Sequence, residues 1–188
     1  MKKSPFYYFL LVSIICWLIP FVFRVSSRKT IDVNLSHNTS VINPHAVVNE
    51  ILDAHSKDNN KTVFFLICKN NQKNCILNIA GGVILGIGTI LNLMFNGFVF
   101  ADVVVGAYKS GLSIDAILRV TLPHSFELVG VWLSGAIGFY VAWNIFQFMC
   151  GKGEFDTRFY KKVGKYYIIT FFIILTSAYV EAYISMKK

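Results

Sequence analysis

The chain has 188 residues, of which 55% are hydrophobic and 15% charged, with a formal net charge of +8 and a mean hydropathy of +0.55. This composition lies beyond the usual range of a soluble domain of that size and points to an all-α, polytopic transmembrane helical bundle. The positive charge carries no nucleic-acid reading, because the basic residues occupy short membrane-proximal loops with no nucleic-acid module around them; it reports topology and contact with anionic lipid.

Uncharged windows run over 5–23, 75–101, 128–150 and 166–180, and about 20 such residues cross a ~30 Å hydrocarbon core. The first window follows Lys2 and Lys3 and makes residues 1–23 a retained transmembrane anchor rather than a cleaved secretory signal. It is as long as a span, and "FRVSSRKT" contains no small-x-small cleavage site. Residues 24–74 then form a small extracytoplasmic region. Within it, "INPHAVVNEILDAH" offers Asn43 as a cap, Pro44 at the first helical position, and Val47, Val48, Ile51 and Leu52 on one face, which describes a short amphipathic helix. "KTVFFLIC" fits an interfacial helix or a strand equally well. Cys68 and Cys75 flank "KNNQKN" on the side predicted to be oxidising, where a disulfide closing that loop and a pair of free thiols are the two readings. Cys16 and Cys150, in or beside apolar spans, read as buried small hydrophobes.

Residues 75–188 form the transmembrane core. The stretch 75–108 is longer than one helix needs, and "LNLMFNG" lies inside it. We read it as two short tilted passes broken around Asn92, Asn96 and Gly97 and covered by protein, with a single long tilted helix as the alternative. The loop 151–165 carries Lys152, Arg158, Lys161, Lys162 and Lys165 and belongs in the cytoplasm together with the amino terminus. The divided window then gives five passes, with the carboxyl end outside. Small residues four apart, at Gly82 and Gly86 and at Gly130, Ser134, Gly138 and Ala142, mark helix faces on which backbones approach closely.

The polar residues of the apolar segments are the candidate site. In "TLPHSFELVG" the three-residue spacing places His124 and Glu127 on one helical face after Pro123. Asp102 and Glu181 lie near the ends of other spans, and Asn96 lies within one. A charged side chain at the bilayer centre costs roughly 2.5–3.5 kcal/mol on insertion scales, so these groups should face inward or sit near the interface. Two roles fit. They bind a metal or relay protons, with His124 and Glu127 as the metal candidates, or they hydrogen-bond backbone left open by the divided helix. No phosphate loop, dinucleotide fingerprint or nucleophile elbow occurs, so we assign no catalytic residue and, apart from that metal, expect no cofactor.

"NGFVFADVVVG", then "LPHSFELVGVWLSGAIG", and after a basic loop a last apolar span ending in "SAYVEAYIS" together resemble the stage II sporulation protein M family, also called the DUF95 membrane proteins. The resemblance covers roughly residues 62–185. It matches the family's recurrent positions at Asn96 and Gly97, at Pro123, His124 and Glu127, and at Glu181; Ser125 stands where the family usually carries glycine. The resemblance implies a multipass protein of the bacterial cytoplasmic membrane, working in a complex with other envelope membrane proteins or with a second copy of itself. The sporulation member is a scaffold for cell-wall hydrolases, and relatives occur in bacteriocin production and immunity loci. The expected function is therefore a scaffold or assembly component of an envelope complex linked to cell-wall remodelling. The alternatives are a transporter or export and immunity component and, behind that, a metal-dependent intramembrane enzyme.

Overall fold

The computed structural model describes residues 6–27, 59–121 and 125–185. Among them the regular structure is helical throughout, with helices α1 (Phe6–Ser27), α2 (Asn60–Gly81), α3 (Ile87–Lys109), a short α4 (Ile114–Thr121), α5 (Ser125–Met149) and α6 (Thr157–Val180). A 3-10 turn, Gly82–Ile84, follows α2, and a π-helical turn, Glu181–Ser185, extends α6. Four stretches, Phe6–Ser27, Ile87–Lys109, Phe126–Met149 and Thr157–Ile184, are long and apolar enough to cross a membrane. Helix α2 is as long as α1 but carries "CKNNQKN" at its middle.

Cross-helix contacts fix the helix directions. Asn78 meets Asn92 and Asn74 meets Asn96, so α2 and α3 are antiparallel. Trp17 packs on Phe100 and Arg24 pairs with Asp102, so α1 and α3 run parallel. Phe6 lies beside Tyr140 and Trp17 beside Trp132, which sets α5 against α1. Tyr140 stacks on Phe159 and a Cβ on Gly130 would meet Ile174, so α5 and α6 are antiparallel as well. The five long helices thus alternate in direction along the chain, and α2 sits among α3, α5 and α6.

The two short passes expected within 75–108 are not formed: α3 runs unbroken through Asn92, Asn96 and Gly97, the chain turns instead at Gly82–Gly86, and the helix before that turn, α2, begins at Asn60 and is not one of the four apolar stretches. The boundary drawn at residue 74 therefore falls inside α2. "KTVFFLIC" is helical, and the amphipathic helix expected over 43–55 lies outside the described residues. The local chemistry explains the helix. Asn59 accepts a hydrogen bond from Thr62 N at 3.2 Å as its cap, and its buried positions, Val63, Ile67, Asn71, Cys75, Asn78 and Gly81, recur every three or four residues. Its end is also local, because Leu85 (φ 51°) and Gly86 (φ 85°) are left-handed and reverse the chain.

Helix α4 is capped by Ser113, whose Oγ accepts from Ala116 N at 3.2 Å. It buries Ile117 and leaves Ile114 and Leu118 exposed, as an interfacial helix does. Asp156 caps α6 through Phe159 N at 2.8 Å, and this turn lies just outside the apolar stretch in the basic loop.

Candidate functional site

The interior between α2, α3 and α5 is built from asparagines. Asn92 Nδ2 donates to Asn78 Oδ1 at 2.8 Å and to Asn74 O at 3.2 Å. Asn74 Nδ2 donates to Asn96 Oδ1 at 3.3 Å, and Asn96 Nδ2 to Asn92 O at 2.7 Å. Across to α5, Asn78 Nδ2 reaches Ser134 Oγ at 2.9 Å and Val131 O at 3.3 Å, while Ser134 Oγ donates to Val131 O at 2.7 Å. Thr89 Oγ1 closes the network on Asn78 O at 2.7 Å. Asn78, Thr89 and Ser134 are all fully buried. Such a ladder gives buried amides the partners that lipid cannot supply.

Small residues let the amides meet. A Cβ on Gly82 would overlap Gly138 O, and one on Gly138 would overlap Asn78 O. Cys75 Sγ lies 3.8 Å from Gly130 O, and Ala142 faces Gly86. The stripe Gly130, Ser134, Gly138 and Ala142 therefore has its partners within this chain, in α2 and the turn after it and, at Gly130, also in α6. Gly82 and Gly86, expected on one helix face, instead occupy the 3-10 segment and the left-handed turn, yet both abut α5.

Of the ionisable candidates, the described ones stand on three helices, Asp102 on α3, Glu127 on α5 and Glu181 at the end of α6. Asp102 Oδ1 accepts from Arg24 Nε at 2.5 Å, and the Arg24 guanidinium also lies 5.3 Å from the Phe98 ring centre. Glu127 stands in the first turn of α5. Glu181 is buried and opens the π-helical turn, which packs against the start of α2 where Val63, Ile67, Ala178 and Ala182 cluster. His124 lies outside the described residues. Among the described residues no group of three His, Cys, Asp or Glu side chains is placed to hold a metal. Cys68 and Cys75 are free thiols seven positions apart on one continuous helix. At 1.5 Å per residue that spacing is about 10 Å, beyond the ~7 Å Cα separation a disulfide tolerates, so the loop it would have closed does not exist.

Of the residues singled out in the sequence, Asn96, Asn92 and Ser134 belong to the asparagine ladder; Asn74, Asn78 and Thr89 were not singled out. Their signal was the recurrence of Asn71, Asn74 and Asn78 at helical spacing, obscured by reading 69–74 as a loop. We expect Asn78→Leu to cost about 1–3 kcal/mol, because it takes one buried partner each from the Asn92 amide and the Ser134 hydroxyl. Thr176→Val, which removes only an exposed bond to Phe172 O, should change stability by no more than about 0.5 kcal/mol. Thermal midpoints in detergent compare the two, and equal midpoints would mean that the ladder does not hold the helices.

These features define a polytopic membrane protein whose alternating helices close on a polar, asparagine-lined interior. The chain belongs to the Stage II sporulation protein M family, whose model matches residues 6–186. It is also 28% identical, over 124 residues covering 64% of this chain and 70% of the relative, to an uncharacterized protein of Methanocaldococcus jannaschii. No solved structure matches.

Proposed function

We propose that this chain is an assembly component of an envelope complex in the bacterial cytoplasmic membrane, holding partners involved in cell-wall remodelling. The observation that carries this reading is the closeness of the core. Gly82 lies against the Gly138 backbone and Gly97 against that of Trp17, and the ladder occupies the space between helices. Such an interior suits a rigid platform better than a solute path. On the outside, Phe126, Ile168, Ile169, Phe172, Ile173 and Thr176 line an open apolar recess between α5 and α6, the kind of surface on which another span rests. The alternating helices support five passes, and the basic 151–165 loop puts the amino end in the cytoplasm and the carboxyl end outside.

Crosslinking in native membranes tests the proposal. We expect discrete adducts larger than the monomer, and recovery of monomer alone would rule the reading out. A second reading, a transporter or export component, draws on the ladder itself, since polar groups at mid-membrane are what transport sites use. Substrate-dependent flux in proteoliposomes that is abolished by Glu127→Gln would favour it.

A further inference from the structure

Helix α2 turns Cys75, Asn78 and Gly82 toward α5 and Asn74 and Asn78 toward α3. Its other side is exposed and carries Phe65, Lys69, Lys73, Ile76 and Leu77. The helix registers give the depth of this face. Asn74 pairs with Asn96, and the adjacent Gly97 abuts Trp17 near the middle of α1, so Lys73 stands level with the centre of that span. Either end of α1 is about 15 Å away at 1.5 Å per residue, farther than a four-carbon stem reaches. Lys69 lies one turn away on the same face. Neither lysine makes a hydrogen bond or ion pair with any of the described residues.

Two ammonium groups at mid-membrane, flanked by apolar side chains and facing outward, form a surface that lipid tails cover poorly. We propose that the outward face of α2 is the docking face for a partner transmembrane helix carrying a carboxylate at its own centre. Charge complementarity selects that occupant over a second copy of this chain. Asp102 is engaged with Arg24, Glu181 is buried, and Asp115, Glu154 and Asp156 lie in or beside the connections beyond the long spans. Glu127 is on α5, which packs on the opposite side of α2. None of the acidic residues among the described residues lies on this face, so a symmetric pairing of two copies through it would bring lysines to lysines. The inference rests on the assembly reading and gives it a partner chemistry.

The test uses the full chain, donor-labelled, in phosphatidylcholine and phosphatidylglycerol vesicles with an acceptor-labelled, leucine-rich transmembrane peptide bearing one central Asp. Energy transfer should appear at about tenfold lower peptide density than with the same peptide bearing Leu, the scale of an interhelical polar contact in model peptides. Lys69→Leu combined with Lys73→Leu should erase the difference while leaving helix content and thermal midpoint unchanged or raised, since both side chains are exposed. Equal transfer for the two peptides, or a preference that survives the double substitution, overturns the proposal. So does self-association of the chain that the double substitution abolishes, because the face would then belong to a second copy. A photo-crosslinking residue at Leu77 or at Ile19, in native membranes, separates the two levels of the argument. Adducts at Leu77 with a different protein that are lost in the double lysine variant support the α2 face; adducts at Leu77 with a second copy, or adducts at Ile19 alone, overturn it and leave the assembly reading standing; adducts at neither overturn both.

Discussion

Gly138→Leu is expected to leave no folded protein in the membrane fraction, and Gly138→Ala to cost about 1–3 kcal/mol, the usual range for overpacking a filled interior. A Cβ at this position would overlap the carbonyl oxygen of Asn78 and stand 2.6 Å from Thr89 Oγ1, the two groups that close the ladder from the other side. Neither has an alternative position, because Asn78 O accepts from Thr89 Oγ1 and lies on backbone inside α2. Added volume must therefore separate α5 from α2 and α3 together. The comparison is Gly164→Ala, where nothing lies within 4 Å of the new Cβ. That helical glycine should gain up to about 1 kcal/mol on substitution. Size-exclusion profiles and thermal midpoints of the three proteins decide the matter; a folded Gly138→Leu with the parent midpoint would mean that α5 does not rest on α2 as described.

The second large effect is expected at Arg24 and Asp102. The Arg24 side chain is 10% exposed and that of Asp102 43% exposed, so Asp102→Leu removes a carboxylate from beside a largely buried guanidinium. Breaking a fully buried pair costs about 3–5 kcal/mol, and the partial exposure of Asp102 sets the expectation at the lower end of that range. Replacing both residues by Leu should recover most of the loss, because two matched apolar groups need no desolvation. A double-mutant cycle in detergent measures the coupling. Additive losses would show that the two side chains are not coupled and that α1 is held to α3 by its other contacts, Trp17 and Phe21 on Phe100 and Gly97 against Trp17.

Much of the architecture was legible in advance. Apolar length marked α1, α5 and α6, since the cost of unsatisfied backbone in lipid makes long uncharged runs helical, whereas the unbroken α3 was read as two short passes. The spacing of Gly130, Ser134, Gly138 and Ala142 marked a packing face. Helix α2 was not legible, for a particular reason. Its buried positions are correctly spaced, but two of the six, Asn71 and Asn78, are polar, and Lys69, Asn70 and Lys73 on its other side lower the apolar average that a hydropathy reading relies on. The asparagine ladder was missed with it, because Asn74 and Asn78 lie in the same helix.

The sequence by itself determined that this is a helical membrane protein with a basic loop before its last span, and that some of its helices meet through small residues. These properties depend on the local balance of apolar area, charge and side-chain volume. Only the tertiary structure decided that the amides of 69–78 lie in a helix, that the stripe on α5 rests against this same chain, and that Arg24 answers Asp102 across 78 positions. Whether a buried amide or carboxylate is affordable depends on the partner opposite it, and no local pattern specifies a partner brought in from a distant part of the chain.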